Sequence, residues 1–167
     1  KRQLVKKINL NSLYGAILNP GCRFFDIRIG QSVTLSGRCI TKHMASKVNE
    51  IVAGNYDHKG ESVVYGDTDS VYFSAYKTLQ KEINEGTIPW TKDSVLALYD
   101  KISTEVNGSF KAYMTKAFHC PSTRGEVIKA GRELVGSKGL FITKKRYALL
   151  YYDKEGERTD TAGKEGK

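Results

Sequence analysis

Two short apolar runs, Val63-Val64-Tyr65 and Val71-Tyr72-Phe73, stand on either side of Gly66-Asp67-Thr68-Asp69-Ser70. β-branched and aromatic residues favour strands, and Gly and Asp favour tight turns, so the spacing predicts a β-hairpin with Gly66 and Asp67 forming the turn. No other feature limits the possible folds so sharply. It brings Asp67 and Asp69 together at one end of a hairpin, where like charges repel unless a cation lies between them. Magnesium-type ions prefer one or two carboxylates together with substrate phosphates. The pair therefore points to a metal site for phosphoryl chemistry. The competing reading is that Asp-x-Asp simply suits a turn, because Asp hydrogen-bonds its own local backbone.

Charge supports a polyanionic partner. The 167 residues carry a net charge of +9, and 40% are hydrophobic, which excludes wholesale disorder and is enough for a core. Residues 1–50 carry nine Lys and Arg against two acids, residues 51–120 seven against nine, and residues 121–167 eleven against seven. An acidic centre between basic flanks suits a site that holds cations and grips a nucleic acid. Solvated surface lysine is the plain alternative. Cys22, Cys39 and Cys120 are scattered and odd in number, which predicts free thiols in a reducing compartment. No apolar run reaches membrane-spanning length, and no signal-peptide pattern opens the chain. A start at Lys1-Arg2-Gln3-Leu4 without Met reads as the interior of a longer protein.

Periodicity predicts a helix over residues 1–17, stopped by Asn19-Pro20-Gly21. Phe24 to Ile27 reads as a short extended piece. A long amphipathic helix is expected from about Ile29 to Ile51, with Val33, Leu35, Cys39, Ile40, Met44, Val48 and Ile51 as its apolar positions and Gly30 and Gly37 weakening its first half. Residues 77–92 look irregular. Asp93-Ser94 is placed to cap a second long helix from Ser94 to Phe118, with Val95, Leu98, Ile102, Val106 and Phe110 on one face, closed by His119-Cys120-Pro121. Strands are expected at Glu126–Ala130, Gly139–Thr143 and Arg146–Asp153, followed by a charged hairpin turn. The order predicts an α+β fold, an antiparallel sheet with two long helices packed on one face.

Two further clusters carry chemistry. Lys7, Asn11 and Tyr14 stand at i, i+4 and i+7, so a helix aligns ammonium, amide and phenol on one face, a surface suited to a nucleotide. A core tyrosine beside a solvated lysine is the alternative. Lys144-Lys145-Arg146-Tyr147 follows Gly136-Ser137-Lys138-Gly139 and opens a strand. On a strand Lys145 and Tyr147 share one face and Lys144 and Arg146 the other. Cations beside an aromatic suit a nucleic-acid backbone. A solvated edge strand protected against aggregation would look similar.

Taken in order, these segments resemble family B DNA polymerases. Lys7 to Gly15 is similar to that family's K-x-x-x-N-x-x-Y-G element, Tyr65 to Ser70 to its Y-G-D-T-D-S signature, and Lys144 to Tyr147 to its K-K-x-Y element. The run Gly136 to Gly139 followed by Lys144 to Ala148 most resembles the replicative enzymes of T-even-type bacteriophages. The resemblance implies a palm-type sheet preceded by a fingers helix: residues 1–20 from the fingers, 21–153 from the palm, and 154–167 leading toward a thumb. It implies that Lys7 contacts the triphosphate of an incoming nucleotide, that Asn11 supports that site and that Tyr14 lines the nascent base pair. Asp69 becomes the main ligand of the catalytic metals, with Asp67 beside it, and Glu126 falls where the family often places another acid. Lys145 and Tyr147 would hold the primer end, with Lys144 and Arg146 near the backbone.

The reaction implied is template-directed addition of deoxynucleotides to a primer 3′ end with two Mg²⁺ ions, for which Mn²⁺ can substitute. The partners implied are primer-template DNA, deoxynucleoside triphosphates, a sliding clamp and a single-strand-binding protein, in the cytoplasm of an infected bacterial host. The family's other metal-bridging Asp, in a D-x-x-S-L-Y-P type segment, has no counterpart here, since Ser12-Leu13-Tyr14 belongs to the helix element. The chain by itself is therefore expected to be inactive, with weak, salt-sensitive binding to primer-template DNA. Two rivals are a non-catalytic nucleic-acid-binding module with an RNA-recognition-like sheet, and a nucleotide cyclase with paired acids. Metal dependence separates the binding module from the other two.

Overall fold

A computed structural model describes residues 2–159. The elements are α1 (Arg2–Ile17), α2 (Ile27–Ala53), β1 (Val63–Asp67), β2 (Ser70–Phe73), α3 (Gln80–Asn84), α4 (Lys92–Phe118), α5 (Ser122–Gly125), β3 (Leu134–Thr143), β4 (Arg146–Lys154) and β5 (Glu157–Arg158). The fold is α+β with antiparallel pairing throughout. The strands form two sheets, β1-β2 and β3-β4-β5, where the sequence suggested one. Compact units divide within α2, one ending at Thr41 and the other beginning at Lys42.

In the first unit, α1 ends in the Asn19-Pro20-Gly21 turn, where the Asn19 side chain accepts from the Gly21 amide at 2.9 Å. The expected extended piece at Phe24–Ile27 is instead the entry to α2. Asp26 caps it, accepting from the Arg28 amide at 2.9 Å, and residues with that geometry start helices rather than strands. The Arg28 guanidinium bonds the same carboxyl and holds it down at about 2. Gly30 does more than weaken a helix. A Cβ there would lie 2.0 Å from Leu18 Cδ2, so glycine is what lets Leu18 pack against α2. Val33 and Leu35 are exposed, so the apolar stripe predicted for the whole of α2 is uncovered over its first half within this unit.

In the second unit, Ala45, Val48, Ile102, Val106 and Phe110 are buried, and His43 stacks on Tyr113 at 3.9 Å between ring centroids. His43 is also bonded to Tyr56 Oη at 2.7 Å and Ser109 Oγ at 2.9 Å, joining α2 to α4. The four deepest predicted positions of α4, Val95, Ile102, Val106 and Phe110, are buried as expected. Its cap is Thr91, which accepts from the Ser94 amide, and not Asp93-Ser94. Val95 packs with Val135 of β3 and Tyr152 of β4, which seats one end of α4 on the larger sheet. Among the described residues no helix is long and apolar enough to cross a membrane.

The predicted strand at Glu126–Ala130 is absent. Glu126 follows α5 in a turn, and the segment leading to β3 bonds to α4 instead of to another strand. Asn107 clamps Ala130 from both sides, donating to its carbonyl at 2.8 Å and accepting from its amide at 2.7 Å. Arg132 reaches Asp100 of α4 and the buried Asp153 of β4. Where side chains satisfy the backbone this way, no neighbouring strand is required. The charged hairpin expected near the end is present: Glu155 and Gly156, both with positive φ, link β4 to β5, as a primed turn requires.

Candidate active site

The β1-β2 hairpin is fixed at its base by a buried amide. Asn49 of α2 donates to the Asp57 carbonyl at 2.7 Å and accepts from the Ser62 amide at 3.1 Å, and it is fully buried. Gly60 makes this possible, because a Cβ at that position would lie 2.6 Å from Asn49 Cγ. The turn itself differs from expectation. Gly66 lies within β1 opposite Val71, Asp67 closes the ladder opposite Ser70, and Thr68-Asp69 forms the two-residue loop. Thr68 takes φ +49°, a conformation a β-branched residue rarely adopts, and it places Asp69 in solvent beyond the last ladder pair.

Asp67 and Asp69 therefore flank a single residue at the end of one hairpin. Asp67 accepts from the Thr68 hydroxyl at 3.2 Å, and its carbonyl accepts from Ser70 Oγ at 3.0 Å. Among the described residues no lysine or arginine forms an ion pair with either carboxylate. Two hard oxygen donors without a protein cation fit a magnesium-type ion, which leaves part of its shell to water and substrate. Asp69 also lines a cleft of about 500 Å³ whose walls include Ser70, Tyr72, Lys138 and Phe141. Glu126 does not join the pair. It bonds to Lys111 of α4, which lowers its pKa, and no group of three metal-ligating acids, histidines or cysteines forms among the described residues.

The basic motif is also reshaped. Lys144 and Lys145 form the β3-β4 turn and only Arg146 and Tyr147 lie in a strand, so the predicted alternation of faces does not extend to the lysines. Lys145 adopts φ +64°. Its amide donates to the Tyr65 hydroxyl at 2.8 Å, and the hydroxyls of Tyr72 and Tyr147 meet at 2.9 Å. The two hairpins thus join side by side, bringing the second and third sequence motifs together.

Four rings make this junction. Tyr65 and Tyr72 face each other across β1-β2, and Phe141 and Tyr147 across β3-β4. Every ring contacts the other three, with centroids 5.2–5.7 Å apart. Tilted rings at that distance contribute beyond their buried area. Burial and the Tyr147 hydroxyl push the Tyr72 phenol up to about 12. Of the four, sequence reasoning assigned a site role to Tyr147 alone. The signal for the others was available in the strand alternation, which puts Tyr65 and Phe141 on inward faces.

The first motif lies in the other unit. Lys7, Asn11 and Tyr14 fall within α1 at helical spacing on one face, with Lys7 and Asn11 exposed and Tyr14 half-buried. Among the described residues of that unit nothing covers Leu4, Ile8 or Leu13, each more than half exposed.

Comparison with known proteins identifies the family. The model of DNA polymerase family B matches residues 1–165. The chain is 37% identical over 168 residues to the DNA-directed DNA polymerase of Escherichia phage RB69, covering 93% of this chain and 18% of that protein. It is 32% identical over 172 residues to the DNA-directed DNA polymerase of Enterobacteria phage T4, with the same coverage of both. It is 30% identical over 166 residues to a DNA polymerase delta catalytic subunit of Oryza sativa, covering 97% of this chain and 13% of that one. The chain thus spans less than a fifth of the length of these relatives. No solved structure matches it.

Proposed function

Because this chain belongs to DNA polymerase family B, we propose that it is part of a DNA-directed DNA polymerase that extends primers on a template by two-metal phosphoryl transfer. In this reading residues 1–20 belong to the fingers, 21–153 to the palm, and 154–167 lead toward the thumb. The observation that carries it is the docking of the Lys144–Tyr147 turn on the hairpin bearing Asp67 and Asp69, through Tyr65 to Lys145 and Tyr72 to Tyr147. A primer terminus gripped by the basic turn lies beside the acids that act on it.

Asp69, with Asp67 beside it, would hold Mg²⁺, or Mn²⁺ in its place. Bound there, such ions raise the acidity of a primer 3′-hydroxyl and neutralise charge on the phosphates of the nucleotide. The chain's own side chains bind and orient. Lys145, Lys144 and Arg146 neutralise primer phosphates, and Tyr147 packs against the primer end. On α1, Lys7 meets the triphosphate of the deoxynucleotide, Asn11 supports it and Tyr14 lines the base pair. Such catalysis is positioning and charge compensation, without a covalent enzyme intermediate. Glu126, committed to Lys111, is the weakest member of the expected metal set. The chain by itself lacks the family's further acid, so activity requires the longer protein, working with primer-template DNA, a sliding clamp and a single-strand-binding protein in the cytoplasm of a phage-infected cell.

Mn²⁺ titration followed by NMR tests this. Paramagnetic broadening centred on Asp67 to Ser70, abolished by Asp69→Asn, is expected. In the longer protein the same substitution is expected to lower primer extension at least a thousandfold without unfolding it. Broadening elsewhere, or extension that survives Asp69→Asn, overturns the proposal. DNA binding indifferent to Mn²⁺, with no broadening, favours a non-catalytic binding module.

A further inference from the structure

Tyr65 belongs to none of the roles assigned so far, yet its hydroxyl is bonded to the backbone of the basic turn. Lys145 is a non-glycine residue at φ +64°, a region L-residues avoid, and a conformation of that kind persists only where neighbouring groups hold it. Its amide is held by Tyr65 Oη at 2.8 Å. The Tyr65 ring is fixed in turn by contacts with Tyr72, Phe141 and Tyr147. On β1, exposure alternates so that Val63, Tyr65 and Asp67 lie on the more covered face and Val64 and Gly66 on the other. Tyr65 and Asp67 are therefore neighbours on one face of one strand.

We propose that Tyr65 is a positioning residue: through the Lys145 amide it fixes the direction in which the Lys145 side chain leaves the turn, and registers that cation to the carboxylate on the same strand. The proposal rests on the assignment of Lys145 to the primer backbone. A two-residue turn has few conformations, and each sends its second side chain in a different direction. With the amide released, Lys145 relaxes toward negative φ and the ammonium swings away from the acids. The charge is retained and its placement is lost.

A double-mutant cycle on the full 167-residue chain tests this, with affinity for a primer-template duplex bearing a recessed 3′ end read by fluorescence anisotropy across a salt series. Lys145→Ala is expected to weaken binding and to reduce the slope of log affinity against log salt by about one. Tyr65→Phe is expected to weaken binding about three- to tenfold with the slope unchanged, since no charge is removed. In the Lys145→Ala background Tyr65→Phe should add nothing, because it acts through that side chain. Equal losses in both backgrounds, or none in either while Lys145→Ala weakens binding, overturn the inference and leave the polymerase reading standing. Binding that ignores salt and Lys145→Ala overturns both. Should Tyr65→Phe fail to fold, amide exchange in the unsubstituted chain decides. Exchange at Lys145 slowed tenfold or more below its unprotected rate upholds the tie, and unprotected exchange overturns it.

Discussion

Tyr72 and Tyr147, seventy-five residues apart in the chain, share one hydrogen bond between their phenols. Each belongs to a different hairpin, so the bond ties together the same two hairpins that the Tyr65–Lys145 bond joins. Tyr147→Phe is expected to cost about 0.5–1.5 kcal/mol in urea unfolding. It should also bring the Tyr72 phenol down from about 12 toward its ordinary value. Because folding raises that pKa above the unfolded value of 10.0, the associated stability is complete below pH 10 and is lost as pH rises through about 12. Phenolate absorbance during an alkaline titration of the two proteins checks both statements.

Asn49 has no exposure, and its amide serves two backbone groups at the base of the acidic hairpin. Asn49→Ala strands the Asp57 carbonyl and the Ser62 amide, and is expected to cost about 2–4 kcal/mol. Faster amide exchange at Ser62, together with a lower urea midpoint, is the signature. A loss of less than about 0.5 kcal/mol would mean that water replaces the amide.

Asp153 is 2% exposed and pairs with Arg132, which also holds Asp100. Arg132→Ala leaves a buried carboxylate unpaired, so a loss of about 3–5 kcal/mol is expected. The double substitution Arg132→Met with Asp153→Leu should recover much of it, because a buried pair contributes less than breaking it costs. Chemical denaturation of the three proteins separates pairing from packing.

His43 is buried between α2 and α4, and burial pushes its pKa below 6.5. Lys47 pushes the same way and Glu50 opposes both. Folding therefore favours the neutral ring. The stability tied to it is full above pH 6.5 and is lost as pH falls through the lowered folded value. NMR titration should find His43 titrating below 6.5, and His43→Gln should flatten the decline in urea midpoint between about pH 7 and pH 5.

Much of this architecture was legible because its signals were local. Apolar spacing from Val95 to Phe110 located α4, and the alternation around Gly66 located the acidic hairpin. The errors came where side chains replaced backbone partners. Residues 126–130 have strand-forming composition, but Asn107 satisfies Ala130 and Lys111 takes Glu126, and nothing local announces either bond. The expected strand opens only at Gly139, five residues after β3 begins, because Gly136 interrupts the apolar pattern before it. Both are packing requirements: a Cβ at Gly136 would lie 2.9 Å from the Leu150 carbonyl oxygen, and one at Gly139 2.8 Å from Leu149 Cδ2. At the site, the identities of the acids and cations were readable, but the left-handed turns at Thr68 and Lys145 were not. Neither residue type favours that conformation, and at Lys145 it accompanies a bond to Tyr65, eighty residues away in the chain.

Along α4, Asp100, Ser103, Asn107 and Lys111 recur every three or four residues and hold, in reverse order, Arg132, Ala130 and Glu126. The helix thus works as a vernier, in which the phase of one scale fixes the reading of the other. A single residue inserted between Ser103 and Asn107 rotates every later rung by about 100° and throws the segment out of step. An insertion near Val127, between the rungs, leaves them aligned. Length changes in this family should therefore be tolerated beside α4 and excluded from within it.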